Sequence, residues 1–254
     1  MPGLLERLLA TSRPYGLLLV LCLLLWLPGF FSLPPTDRDE SRFVQATRQM
    51  LETGDFISIR NGDTERNQKP IGIYWLQVPF VVAAQALGLA RDNPVWPYRL
   101  PSLLGGIGGV WATFWLGRQL LGERVAFLGA LMLGTSMVLA VETHIAKTDA
   151  ALLGFTTAAM GGLARAYLAP GQIGRWLWLG FWLAVGAGIL IKGPVTPMVV
   201  TLSALTLALA DAKRGPPRWL LKLRPGVGIL VMLAVTLPWF VAIGLRTGGT
   251  FFAQ

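Results

Sequence analysis

Cysteine, histidine and charge are what this 254-residue chain has least of. Its single cysteine, Cys22, cannot form an internal disulfide and leaves no zinc-type cysteine spacing. Inside an apolar run, it reads as a small packing residue. The single histidine, His144, is a weak metal signal alone and reads as a residue at the end of an apolar run. Only 14% of residues are charged, against roughly 25% in a soluble domain. No internal repeat, low-complexity tract or soluble domain is evident. The glycine-rich stretch 105–109 lies deep in an apolar run, so it is not a phosphate-binding loop. Its small-xxx-small spacing, Gly105 to Gly109, reads as close packing between helices of the chain, with a dimer interface as the other reading.

What is abundant is apolar sequence, 54% of the chain. It comes in long runs rather than at amphipathic spacing, and runs of about 17–25 residues match the bilayer core. A backbone in lipid must satisfy its own hydrogen bonds, which helices do. The chain is therefore expected to be an all-α polytopic membrane protein. Residues 15–33 form the expected first span, an uncleaved anchor rather than a signal peptide. Further spans are expected over 100–117, 125–141, 150–168, 176–191, 193–210 and 225–245. Residues 71–90 are uncharged but carry Gln77, Pro79 and Gln85, and either cross or lie in the surface layer.

The formal charge of +9 would suggest nucleic acid in a soluble protein. Here it reads as topology-setting Lys and Arg, and no nucleic-acid partner is expected. If 71–90 does not cross and the N-terminus is cytoplasmic, Arg7, Arg13 and the cluster Lys213, Arg214, Arg218, Lys222 and Arg224 all fall inside. That cluster, with Pro216 and Pro217, reads as a connector touching anionic headgroups. An eight-span arrangement with the N-terminus outside also satisfies the later loops, although Arg7 and Arg13 argue against it.

Against this background stands one polar island, residues 36–75, which holds seven of the thirteen acids and six of the twenty-two Lys and Arg residues. Asp37 or Asp39 can begin a helix there. Phe43, Thr47, Met50 and Leu51 then share one face, and Gly54 is placed to stop it. This predicts an amphipathic helix on the membrane surface. Asn61-Gly62 is a turn signal. Asp37, Asp39 and Glu40 are candidate acids: a carboxylate at a membrane surface can accept a proton from an acceptor hydroxyl, and the competing role is helix capping. Arg42 lies three residues beyond Asp39 and can share its face. Lys69 precedes Pro70, which disfavours helix at Lys69. Such cations suit a phosphate group and equally suit anionic lipid. Glu142, His144, Lys147 and Asp149 share one turn between apolar runs, where charges are costly and hence functional candidates. The competing role is to anchor a tight helical hairpin. Lys192-Gly193-Pro194 breaks two apolar runs with almost no loop, and Lys192 either reaches a phosphate or snorkels to headgroups.

The pattern Asp39-Glu40-x-Arg42-Phe43, then Met50-Leu51-x-x-Gly54-Asp55-Phe56, then Lys69-Pro70-x-x-x-Tyr74-Trp75 resembles the first periplasmic loop of the aminoarabinose transferase and protein O-mannosyltransferase superfamily. The likeness continues through Arg99-Leu100-Pro101-Ser102, Thr148-Asp149-Ala150, Lys192-Gly193-Pro194 and Pro238-Trp239, and is closer to the bacterial aminoarabinose-transferase branch. The resemblance implies a GT-C type module of about seven transmembrane helices. The first span would be 15–33, a periplasmic loop with surface helices 34–99, and six further spans 100–245. It implies a catalytic role for Asp39 and contacts from Lys69, Arg42 and Lys192 to the phosphate of a polyprenyl-phosphate sugar. Glu40 and Asp149 are secondary candidates. The relatives often carry Glu before the lysine where Gln68 stands here, so a metal role for that position does not carry over. No cofactor or metal ligand is assigned, and a divalent metal is left open. Family members are usually about twice as long, so the chain is expected to lack their C-terminal half.

The resemblance thus implies a polyprenyl-phosphate-sugar-dependent glycosyltransferase, acting with inversion on a lipid A-like or other cell-envelope acceptor. The expected partners are the lipid-linked donor, a lipid or glycan acceptor and membrane lipids. The expected place is the bacterial inner membrane, multi-pass, with the active face periplasmic. The alternatives are a protein O-mannosyltransferase-like enzyme and a non-catalytic lipid-binding or flippase-like protein. Charges gathered at one membrane face favour surface chemistry over the midplane sites of transporters.

Overall fold

The computed structural model describes residues 14–66, 69–90 and 93–253; Arg7, Arg13, Gln68 and Arg91 lie outside them. Apart from one two-stranded hairpin, its regular structure is helical. The helices in chain order are α1 (Pro14–Trp26), α2 (Arg38–Thr53), α3 (Gly72–Ala86), α4 (Trp96–Leu121), α5 (Glu123–Gly134), α6 (Met137–Thr143), α7 (Asp149–Leu168), α8 (Arg175–Lys192), α9 (Val195–Ala210) and α10 (Pro225–Arg246). The hairpin pairs β1 (Arg60–Asn61) with β2 (Thr64–Glu65), antiparallel. Gly62 takes the left-handed conformation that its turn requires, φ 68°.

Helices α4, α8 and α10 are long and apolar enough to cross a membrane, and α5 with α6 passes the same test as one bent pair. Helices α1 and α9 are apolar but shorter. Three expected boundaries shift. The uncharged stretch 15–33 is helical only to Trp26, because Pro28 and Gly29, at φ 79°, turn the chain. The stretch 125–141 is not one rod: α5 and α6 meet at 60°. Thr135 folds its hydroxyl back onto the carbonyls of Leu131 and Met132, at 2.9 and 3.2 Å, and Ser136 is extended. The run expected to begin at residue 100 starts at Trp96. Arg99 is therefore inside α4 rather than in the preceding loop.

Close packing rests on small residues. A Cβ on Gly105 would stand 2.4 Å from Ala151 Cα, and one on Gly154 would stand 2.7 Å from the Gly105 carbonyl oxygen. Helices α4 and α7 thus touch backbone to backbone, and Gly105 packs within the chain. Likewise, a Cβ on Gly72 would lie 2.7 Å from the Leu190 carbonyl. This brings the start of α3 against the last turn of α8. Cys22 is buried with Leu18 and Trp26 in the cluster that joins α1 to α4, α5 and α6.

Helix α2 has the caps its sequence signals. The Asp37 carboxylate accepts from the Asp39 amide at 2.7 Å. Gly54 is left-handed at φ 70° and donates to the Met50 carbonyl. Its buried face carries Phe43, Thr47 and Met50 as the periodicity requires, and also Glu40. The helix is held by protein contacts. Thr47 donates to Gln77 of α3 at 2.5 Å, and Phe43 stacks on Tyr74 with ring centroids 5.3 Å apart.

Glu40 and Arg99 form the polar centre of this packing; both are 0% exposed. Arg99 Nε donates to Glu40 Oε1 at 2.7 Å and Nη2 donates to Oε2 at 3.1 Å. Removing one partner of such a buried pair leaves the other uncompensated and costs about 3–5 kcal/mol. Arg99→Ala is expected to lose about that much stability in denaturant unfolding of the detergent-solubilised protein. An unchanged midpoint would show that the pair does not hold the fold.

Candidate active site

The polar island, the turn 144–148 and the junction of α8 with α9 meet at one end of the helical bundle. Lys147 is paired with Asp37, and the Ala146 amide donates to Glu40 Oε1 at 2.9 Å. Lys192, the last residue of α8, is paired with Asp149, the first of α7. Arg246 at the end of α10 is paired with Asp55 and donates to Ser58 at 3.3 Å. The Trp239 indole N–H, also on α10, donates to the Ile57 carbonyl at 3.0 Å. Sequence-distant ends are therefore fastened around α2 and the hairpin.

The open part of this end is built on α2. Asp39 is half-buried, and its Oδ1 faces Arg42 Nη1 at 3.2 Å and Arg66 Nη2 at 3.5 Å. Arg66 follows β2, and its amide donates to the Ile59 carbonyl at 2.7 Å. Its guanidinium carbon lies 4.7 Å from the centroid of the Phe43 ring, and Lys69 Nζ lies 5.0 Å from the same centroid. A buried aromatic ring thus carries two cations, each attracted to its π system. Burial lowers the Lys69 pKa below its ordinary 10.5. The neighbouring charge of Lys192 lowers it further, while Asp149 and Asp39 act the other way. The close approach at Gly72 explains that neighbourhood, since it packs the Lys69 segment against the end of α8.

The candidate residues therefore divide. Asp39, Arg42, Lys69, Lys192 and Asp149 come together. Glu40 does not join them: it is buried beneath, with both oxygens taken by Arg99 and by the amides of Ala146 and Thr36, the last at 3.2 Å. Asp37 caps α2 and forms a side wall with Lys147. The hydrogen bond from Lys147, then that from the Asp39 amide, hold the Asp37 carboxyl below its ordinary 3.8. Burial pulls the Lys147 pKa down, but the Asp37 hydrogen bond and the carboxylates of Asp37, Glu142 and Asp39 outweigh it and raise it above 10.5. His144 contacts the carbonyls of Ala140 and Pro28, at 2.7 and 3.2 Å, as a boundary residue of its turn. Among the described residues, no three His, Cys, Asp or Glu side chains converge as a metal site.

Arg66 was not among the candidates read from sequence. Its one signal was its position three residues before Lys69, and the hairpin that turns it onto Phe43 is what gives that position meaning. Beyond the charged cluster runs an apolar groove of about 340 Å³, lined by Leu76 and Phe80 of α3, Leu104 and Gly108 of α4, and Gly154 and Phe155 of α7. Leu76 and Phe155 also pack on the cluster that contains Phe43 and Tyr74, so the groove adjoins the site. A larger cavity of about 500 Å³ lies at the opposite end, beneath the connector Arg218–Leu223. This end of the bundle therefore offers cations for an anion, carboxylates for a polar group and an apolar channel for a hydrocarbon.

A family model described as dolichyl-phosphate-mannose-protein mannosyltransferase matches residues 69–241, and the chain belongs to that family. It is similar to the undecaprenyl phosphate-alpha-4-amino-4-deoxy-L-arabinose arabinosyl transferase 1 of Pseudomonas fluorescens, with 27% identity over 86% of this chain and 36% of the relative. The corresponding transferase of Edwardsiella ictaluri is 29% identical over 90% of this chain and 39% of the relative. The chain thus spans little more than a third of the length of these relatives. Its fold matches the crystal structure of ArnT from Cupriavidus metallidurans bound to undecaprenyl phosphate, at a TM-score of 0.78 and 24% identity, over 91% of this chain and 41% of that one. The apo structure of the same protein matches at 0.76 and 25% identity.

Proposed function

We propose that this member of the family is the donor-binding module of a membrane glycosyltransferase that takes a sugar from a polyprenyl-phosphate carrier. The acceptor in this reading is a lipid A-like molecule or another cell-envelope glycan. The observation that carries it is the junction of two environments: the Asp39–Arg42–Lys69–Lys192 cluster and the apolar groove between α3, α4 and α7. A polyprenyl phosphate has the same two halves. The names of the relatives agree, since they are transferases whose donors are linked to undecaprenyl phosphate.

In the proposed reaction, an acceptor oxygen attacks the anomeric carbon from the face opposite the phosphate, and the configuration inverts. The bond between that carbon and the phosphate oxygen breaks, and its electron pair leaves with the polyprenyl phosphate. Lys69, Arg42 and Lys192 stabilise the charge that grows there, an electrostatic contribution aimed at the transition state. Asp39 receives the proton of a hydroxyl acceptor. With a phosphate acceptor no base is needed, and Asp39 orients it. Asp149 holds Lys192 in place.

The proposed setting is the bacterial inner membrane with the cluster on the periplasmic face. Seven passes, α1, α4, bent α5–α6, α7, α8, α9 and α10, put α2 and α3 in the first external loop. The contacts of α3 support this: its Gln77 accepts the hydroxyl of Thr47 on α2, and its Tyr74 stacks on Phe43 of α2. The Lys213–Arg224 connector then faces the cytoplasm, as positive loops do.

Reporter fusions after Thr64 and after Lys213 are expected to lie on opposite sides, periplasmic and cytoplasmic respectively; a cytosolic Thr64 would overturn the orientation. In membranes containing the whole protein, Asp39→Asn is expected to lower sugar transfer from the polyprenyl-phosphate donor by about 10²–10⁴-fold, with expression unchanged. Wild-type transfer by that variant would remove Asp39 from the reaction.

A further inference from the structure

Arg66 is only 8% exposed, yet its guanidinium is only partly used. Nη2 faces Asp39 Oδ1 at 3.5 Å, and the Phe43 ring lies beneath the group. Nη1 is buried and, among the described residues, has no hydrogen-bond partner. A cation–π contact offsets part of the charge but satisfies no N–H in the guanidinium plane. Burying a charged donor without an acceptor is costly, and the neighbouring Lys69, on the same ring, adds repulsion rather than an acceptor. An anionic oxygen beside Asp39 would supply the acceptor that this N–H lacks.

We propose that Arg66 bridges Asp39 and the donor phosphate, with Nη2 on the carboxylate and Nη1 donating to a phosphate oxygen. This assignment rests on the reading of the cluster as a polyprenyl-phosphate site. A guanidinium holds its terminal nitrogens in one rigid plane, unlike an ammonium, which acts as a point charge. One residue therefore sets the spacing between the acid and the leaving group. An acceptor oxygen drawn to Asp39 is aligned with the carbon–oxygen bond that breaks. As the new glycosidic bond forms, the electron pair of the old one passes to the phosphate. The Nη1 contact strengthens at that moment, as charge-assisted bonds do.

The test uses the whole protein in lipid nanodiscs and two probes with the same tail, undecaprenyl phosphate and uncharged undecaprenol. The wild type is expected to prefer the phosphate. Arg66→Gln is expected to lose about tenfold to a hundredfold in affinity for undecaprenyl phosphate, the range for a hydrogen bond to a charged group, with undecaprenol binding unchanged. Arg66→Lys keeps a cation near Phe43 but not the fork, and a loss of about tenfold is expected. This second variant carries the test if the first does not fold. Wild-type phosphate affinity in the folded variants, or an equal loss for both probes, overturns the bridge while the wild-type preference leaves the donor-site reading standing. A wild type that does not distinguish the probes overturns both.

Discussion

The buried pair of Glu40 and Arg99 is the constraint on which the architecture of the site depends. Two charges out of water are stable only if their remaining hydrogen-bonding capacity is filled, and here it is. The carboxylate takes the guanidinium and the amides of Ala146 and Thr36. The guanidinium in turn donates to the carbonyls of Phe30, Leu33 and Pro34, at 3.3, 2.9 and 3.1 Å. One ion pair thus ties the exit of α1, the first turn of α2, the start of α4 and the turn before α7. Asp39 is the residue next to Glu40, so the pair that anchors α2 also fixes where the half-buried Asp39 carboxylate stands.

Above that anchor, the site gathers like charges that would otherwise repel. Arg42, Arg66, Lys69 and Lys192 come from α2, the hairpin exit, the entry to α3 and the end of α8. Two acids, Asp39 and Asp149, neutralise them only in part, and Phe43 takes up the face of two of the cations. Burial first, and then the charge of Lys192, lower the Lys69 pKa. A cluster of that kind is preorganised for an anion. The backbone contact at Gly72 sustains it, because any side chain there would force α3 away from α8.

Much of this was legible in the sequence where the signal is local. The Asp37 cap, the Gly54 stop, the Asn61-Gly62 turn and the apolar face through Phe43 and Met50 each depend on residues within a few positions. The placing of Lys147 and Lys192 on the side of the polar island followed from the seven-span count, which the family likeness favoured over the eight-span one. What escaped was non-local. Glu40 and Asp39 are adjacent acids with equal claims in sequence, and only a partner 59 residues away assigns one to the interior and the other to the open site. Arg66 gains its place from the fold of the hairpin. The bend between α5 and α6 falls where Thr135 bonds back onto helix carbonyls and Ser136 turns extended, a choice that the hydropathy of the run does not reveal. The family likeness, carried by Asp39, Arg42, Lys69 and Lys192, was readable because those residues sit in short motifs.

In the proposed function, one end of the helical bundle presents a phosphate site continuous with a hydrocarbon groove. The most direct test is an experimental structure of the whole protein with undecaprenyl phosphate bound. Phosphate oxygens are expected within hydrogen-bond distance of Lys69 and at least one of Arg42, Arg66 and Lys192. The first isoprene units are expected between Leu76 and Phe80 of α3 and Phe155 of α7. A phosphate bound away from Asp39 and Lys69, or a tail that leaves the groove empty, would contradict it.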